Sequence, residues 1–222
     1  MKKPSSPREE ATTASDRGSS ARAPLQARGR ARIETVLDAA AELIVEKGLT
    51  GVTMHGVARQ ARTPIGSMYH FFPDRDSLLN ALWDRHMAAT DEIEAELVGL
   101  DTDYWRGISA EAVIDRFMTP YITYLEQHPD CLILMSIMPH DDDHKNKRKA
   151  GTLRKVLDAR IPGVKASERA LYVDMLHALA TGALAIKLRP AMGDVQLAGR
   201  YLREVRRALS AYLAAVEASI AG

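Results

Sequence analysis

Apolar residues recur every three or four positions along most of this chain, the spacing that gathers them on one face of a helix. Ile33, Val36, Leu37, Ala40, Leu43 and Ile44 begin the pattern, and Lys47-Gly48 supplies a stop. Thr53 caps a short second helix through about Gln60, with Val57 and Ala58 facing inward. Thr63 caps a third, with Pro64 in its first turn, where the missing N–H costs nothing. Pro73-Asp74 ends this unit. A long amphipathic helix then runs from Arg75 to about Leu97, with Leu78, Leu79, Leu82, Met87, Ile93 and Leu97 as its apolar face.

The second half continues the pattern. Gly99, Asp101, Asp103 and Gly107 mark a loop, and Ser109 to Gln127 reads as a helix burying Val113, Phe117, Ile122 and Leu125. Pro129 begins a short apolar segment, Cys131 to Met138. The polar stretch from His140 to Lys149 precedes a helix to about Arg160, and Ile161-Pro162-Gly163 breaks the chain. Ser167 with Glu168 opens a helix to about Leu188, striped by Leu171, Met175, Ala178, Leu179, Gly182 and Ile186, and Pro190 stops it. The final helix repeats Ala198, Tyr201, Leu202, Val205, Ala208, Leu209, Tyr212, Leu213 and Val216. No stretch alternates with period two, so the fold class is all-α.

Two consecutive helices of this kind suit a four-helix dimer interface, two helices from each subunit. Its expected residues are Leu171, Ala178, Leu179, Gly182, Ile186, Tyr201, Val205, Leu209 and Tyr212. Small side chains at Ala178, Gly182 and Ala183 would let a partner helix approach closely. An internal core stripe is the alternative.

Composition narrows the class. At 222 residues, with 46% hydrophobic and 27% charged residues, the chain is a globular protein of one large or two small domains. One cysteine, Cys131, excludes an internal disulfide and a Cys-rich zinc site. No run approaches the roughly 20 apolar residues of a membrane span, and no secretory signal stands at the N-terminus, which reads as a cytoplasmic protein. The net charge of +1 conceals an uneven split: residues 1–75 carry 12 Lys/Arg against 8 Asp/Glu, the remainder 18 against 21. Residues 1–28, rich in Ser, Ala, Pro, Thr and Arg, are expected to form a disordered basic tail, because they cannot bury enough surface to offset their ordering entropy. Arg22, Arg28, Arg30 and Arg32 are its candidates for touching phosphates; a merely solubilising tail is the other reading.

The basic excess lies on the half that holds the two shortest helices. Two such helices separated by a few residues form a helix-turn-helix unit, whose second helix enters the DNA major groove. On that reading Thr53 points a helix N-terminus at a phosphate, Thr63 and Ser67 hydrogen-bond a base or phosphate, and Ile65 meets a thymine methyl. Pro64 and Arg62 lie at the entry to this helix, and Arg75 is a further phosphate candidate. The helix offers no Asn, Gln or Arg after Arg62 for bidentate base recognition.

From Arg32 to Leu82 the chain resembles the N-terminal domain of the TetR family of bacterial transcription regulators. The resemblance is carried by Ala39-Ala40, Leu43, Gly48, Thr53, Val57-Ala58, Ala61, Gly66-Ser67, Tyr69, Phe72 and Leu78. Gly-Ser-Met-Tyr-x-x-Phe just after a turn is its most specific part. Arg75 stands where the family usually has lysine. Arg62 replaces a common glycine, so a left-handed turn there would cost about 1–2 kcal/mol. Gly56 replaces a carboxylate that often completes a capping box with Thr53.

The resemblance implies three segments: a tail at 1–28, a DNA-binding domain at 29–76, and a helical effector-binding and dimerisation domain at 77–222. It implies that Tyr69 and His70 contact phosphates. It also implies a homodimer on a palindromic operator, read here as a repressor that a small-molecule effector releases, with no cofactor. Candidate effector-lining residues are Trp105, Phe117, Tyr121, Tyr124, Met135, Met138, Tyr172 and Met175; ordinary core packing is the alternative for each. His140-Asp141-Asp142-Asp143-His144 contains metal-ligand chemistry, but among Lys145, Lys147, Arg148 and Lys149 it reads as a solvated loop without a metal. Two other functions remain to be weighed. One is a DNA-binding regulator without a ligand. The other is a helical metal phosphohydrolase using His140-Asp141 with His128 and His177, which would leave Gly66 to Phe72 unexplained, so the chain is read as no enzyme.

Overall fold

A computed structural model describes residues 18–135, 137, 143–183 and 195–221, and within them every regular element is helical. The helices are α1 (Gly18–Lys47), α2 (Met54–Gln60), α3 (Ile65–Phe71), α4 (Arg75–Gly99), α5 (Thr102–Gly107), α6 (Ala110–Gln127), α7 (Pro129–Leu134), α8 (Asp143–Arg160), α9 (Ala166–Ala183) and α10 (Val195–Ala221). A 3-10 turn, Leu49–Gly51, joins α1 to α2.

The first core gathers Val36, Leu37, Ala40, Leu43 and Ile44 of α1 with Val57 and Ala58 of α2, Met68 of α3, and Leu78, Leu79 and Leu82 of α4. Leu134 of α7 joins it from far along the chain. The second core lies among α4, α5, α6, α8, α9 and α10, built around Leu97, Trp105, Val113, Leu157, Leu176 and Leu213. Burial of such side chains contributes about 1.5–3 kcal/mol each, so these two clusters set the architecture. Helix α4 runs through both, which makes it the rigid connection between them.

Local chemistry explains the boundaries. Thr53 caps α2 by accepting from the Gly56 N–H at 3.0 Å, as expected. Asp74 caps α4 through the Ser77 N–H at 2.7 Å, and that bond holds its carboxyl below the usual range. Ser109 caps α6 through Ala112. The turn before α3 differs from the pattern: Pro64 takes the capping position without a side-chain bond, while the Thr63 hydroxyl donates to the Ala61 carbonyl at 3.2 Å. Arg62 does adopt a left-handed backbone, φ 49°, in the turn between α2 and α3.

Three further departures have physical causes. The helix α1 begins at Gly18, inside the segment expected to be disordered. Ala21, Arg22, Ala23, Leu25, Gln26, Ala27 and Arg28 favour helix although Pro24 does not, and extending a helix already nucleated on a core avoids the cost of starting one. The expected loop at 99–107 contains α5, capped by Asp101 on the Asp103 N–H and anchored by the fully buried Trp105. The polar stretch before Arg160 is helical from Asp143 onward.

The buried face of α4 also differs from the apolar one expected. Beyond Leu82, Met87 and Ile93 are only half-buried, and His86, Thr90 and Glu94 take the core-facing positions.

Candidate functional site

The DNA-reading candidates form one surface. Met68 and Phe72 are buried and pin α3 to the first core. Ile65 and Tyr69, one turn apart, stay exposed on its outer side, Tyr69 at 46%. Gly66 and His70 follow one residue behind them, also exposed, and Ser67 is half-buried. Thr53, Arg62 and Pro64 are exposed nearby, with Thr63 half-buried. Ile65 and Tyr69 are thus large apolar groups left in water on a seven-residue helix that already has a core face. No Asp or Glu occurs from Lys47 to Pro73, and among the described residues the one acid bonded to this segment, Glu42 of α1, accepts from the Gln60 side-chain amide at 2.7 Å at the far end of α2.

Arg75 has structural work in this unit. Its Nε donates to the Val52 carbonyl at 3.0 Å and its Nη2 to the Leu49 carbonyl at 2.6 Å, tying the start of α4 to the turn before α2. Arg30 and Arg32 are exposed, but they lie toward the opposite end of α1. There Glu34 and Asp38 pair with Arg85, ten residues along α4 from Arg75.

A second constellation lies on α4 inside the other half. His86, Thr90 and Glu94 continue the four-residue steps of Leu78 and Leu82, and all three are buried. His86 is fully enclosed: its Nε2 lies 2.8 Å from Asp130 Oδ2 and its Nδ1 2.7 Å from the Tyr124 hydroxyl. Burial alone would raise the Asp130 carboxyl, but the hydrogen bond and charge of His86 outweigh it and hold it below the usual range. Burial pushes the Tyr124 hydroxyl up to about 12 and depresses His128, whose ring stacks on Tyr124 at 4.4 Å. Glu94, 4% exposed, accepts from the Tyr121 hydroxyl at 3.0 Å and from the Thr152 hydroxyl of α8. Burial first, and then the charge of Glu94, raise the Tyr121 hydroxyl strongly. A helix face that turns polar for three successive turns inside a core costs desolvation, which these hydrogen bonds offset.

The expected effector-lining residues divide around this stripe. Tyr121 and Tyr124 bond to it directly. Phe117 stands one turn from Tyr121 and packs on Trp105, ring centroids 5.4 Å apart. Met135 and Tyr172 are half-buried on neighbouring clusters, Met175 is exposed on α9, and Met138 lies outside the described residues. His86, Thr90, Glu94, Asp130 and Thr152 were not among the expected residues. The signal was present for the α4 group, whose four-residue register continues that of the leucines. A cavity of about 450 Å³ lies elsewhere, lined by Arg106, Ala159, Arg160, Ile161, Pro162, Gly163, Glu217 and Ile220.

Among the expected interface residues, Leu171 is 57% exposed and Leu179 40%, on the same side of α9 as the exposed Met175 and Ala178. Gly182 is half-buried, and Tyr201, Val205 and Tyr212 pack partly on their own subunit's core. Leu209 is a correction: it is buried within the subunit, because α10 packs on both α6 and α9. Ile186 lies outside the described residues. So do His140, Asp141 and Asp142; among the described residues no group of three His, Cys, Asp or Glu is placed to hold a metal. No described helix is long and apolar enough to cross a membrane.

Comparison with known proteins agrees with this geometry. Residues 36–82 match the family described as bacterial regulatory proteins, tetR family. An uncharacterized HTH-type transcriptional regulator, YvdT of Bacillus subtilis (strain 168), is 30% identical over 104 residues, 46% of this chain and 50% of that protein. The matched stretch thus spans half the length of that relative. The fold is similar to that of the fatty acid degradation regulator FadR from Bacillus halodurans, with a TM-score of 0.60 and 16% identity over 80% of this chain and 94% of that one. It is also similar to SmeT solved with triclosan, with a TM-score of 0.56 and 19% identity over 83% of this chain and 91% of that one. Residues 36–82 thus match the DNA-binding segment of bacterial regulatory proteins of the tetR family, and the described helices as a whole share the fold of solved regulators of that kind.

Proposed function

We propose that this protein is a cytoplasmic transcriptional repressor that binds a palindromic operator as a homodimer and leaves it when a small molecule occupies the second half. The observation that carries the reading is the short helix α3, in a stretch of chain without Asp or Glu, with Ile65, Tyr69 and His70 exposed around a buried Met68. In this account Thr63, Ile65 and Ser67 meet base edges. Thr53, Arg62, Pro64, Tyr69, His70 and Arg75 hold the backbone, with Arg30 and Arg32 at its margin. Residues 29–76 form the reading domain and 77–222 the effector and dimerisation domain.

One such unit buries too little surface for tight specific binding, so two must act together, half-sites about one helical turn or a multiple apart. The exposed stripe Leu171, Met175, Ala178 and Leu179 supports pairing through α9 and α10. The effector site is assigned to the polar stripe of α4 and its partners. A ligand there acts by favouring the arrangement of α4 in which the two α3 helices no longer match the half-sites. SmeT was solved with triclosan, which supports a ligand-responsive reading for a protein of this fold.

The test is selection of bound duplexes from a random pool, followed by titration of the selected site. Tyr69→Ala should weaken binding to selected and random duplexes alike while leaving the oligomeric state unchanged. Unchanged affinity at fixed salt would remove Tyr69 from the interface.

A further inference from the structure

Of the four glycines from Gly48 to Gly66, three have a reason inside the chain. Gly48 holds a left-handed backbone at φ 67°, a carbon added to Gly51 would collide with the Lys47 side chain, and one added to Gly56 would meet the capping oxygen of Thr53 at 2.9 Å. Gly66 has no such reason: it lies in α3, exposed, and an added carbon would meet nothing within 4 Å. Glycine weakens a helix relative to alanine, so its place on the outer side of α3 points to a body outside the chain that comes up against the helix backbone. The side chains around it limit what that body offers. Ile65 and Tyr69 are exposed beside it, and α3 holds no Asn, Gln, Lys or Arg. Gln60, the one amide side chain from Lys47 to Leu79, donates to Glu42, the Thr63 hydroxyl donates to the Ala61 carbonyl, and Arg75 is held on Val52 and Leu49. The exposed Arg59 and Arg62 precede α3. The centre of the face is therefore apolar, and the apolar group that a base displays in the major groove is the thymine C5-methyl.

We propose that α3 selects its half-site through a thymine methyl group seated against the bare backbone of Gly66 and the side chain of Ile65. This rests on the reading of α3 as the helix that meets DNA, and it names the chemical group that is read. A side-chain carbon at position 66 would hold the groove edge away from the helix and lift the methyl off Ile65. Burying one methyl group contributes about fourfold in affinity per half-site, and roughly 15-fold when both half-sites of a palindrome carry it. Tyr69, one turn further along the same side, then holds the backbone rather than a base.

The test uses the full chain and the duplex it selects from a random pool. Each thymine of the half-site is replaced in turn, in both halves, by deoxyuridine, which lacks only the C5-methyl. At one position the replacement should weaken binding about 15-fold, and Ile65→Ala should bring the thymine and deoxyuridine duplexes to within about twofold of each other. Gly66→Ala should raise the urea midpoint of the free protein, because alanine favours helix, and yet weaken the selected duplex about tenfold or more. A scrambled duplex of equal length should change by less than about threefold in that variant, since non-specific binding rests on phosphates. A selected site at which no deoxyuridine weakens binding, an undiminished thymine preference in Ile65→Ala, or a Gly66→Ala variant that binds the selected duplex as tightly as the parent would each overturn the proposal. Failure to select any duplex would overturn the regulator reading and this proposal with it, whereas a selected duplex blind to the methyl overturns the proposal alone.

Discussion

Replacing Arg75 with glutamine separates a structural role from a phosphate-binding one. The guanidinium donates to the carbonyls of Val52 and Leu49 and so ties α4 to the turn that carries the α2 N-terminus. A hydrogen bond from a charged donor contributes roughly 1.5–3 kcal/mol. The side chain is 37% exposed, however, so water would satisfy both carbonyls after its loss, and the pair together is worth about 2 kcal/mol. Urea unfolding should show a lower midpoint at an unchanged denaturant slope, because the loss is in stability rather than in the surface exposed. Duplex affinity should fall as well, since Thr53 and α3 lose their fixed relation to α4. A variant of unchanged stability, whose salt dependence of binding drops by about 0.9 in log–log slope, would refute this reasoning. It would show that Arg75 works on a phosphate alone.

Other perturbations test separate parts of the account. Arg62→Gly relieves a left-handed backbone and should raise stability by up to about 1 kcal/mol in urea unfolding, less the cost of glycine's freedom when unfolded. Leu171→Lys with Met175→Lys should shift a sedimentation profile toward monomer, since two charges would then face the partner's stripe. Asp130 has its carboxyl held below its ordinary 3.8 in the folded state. Its contribution to stability is therefore complete above that value and lost as pH falls through the folded one; Asp130→Asn should flatten the acid limb of a stability–pH profile.

Much of the fold was legible because helical periodicity and capping are local. Thr53, Ser109 and the break at Pro73-Asp74 work through neighbours within four residues, and the apolar faces of α1 and α6 needed no tertiary knowledge. Arg62 was legible too, since a turn that favours glycine imposes its backbone on whatever residue stands there. The α4 stripe was not read, because following hydrophobicity led to Met87 and Ile93 and past His86, Thr90 and Glu94. Their partners Asp130 and Thr152 lie some 40 to 60 residues away, and nothing local announces such pairings. Leu209 shows the opposite limit: a stripe on α10 looks the same whether it meets another subunit or its own core. For α1, the composition that argued for disorder also favours helix, and a nucleated neighbour decides between them.

The central claim is that α3 presents a sequence-reading surface, and one measurement tests it most directly. Fluorescence anisotropy with a duplex selected from a random pool, against a scrambled duplex of equal length, should be followed across a range of salt concentrations. Binding to the selected site should be tighter by about 10³-fold or more and fall linearly in log–log salt plots, with Tyr69→Ala weakening both duplexes. Equal affinity for the two duplexes at every salt concentration would contradict it.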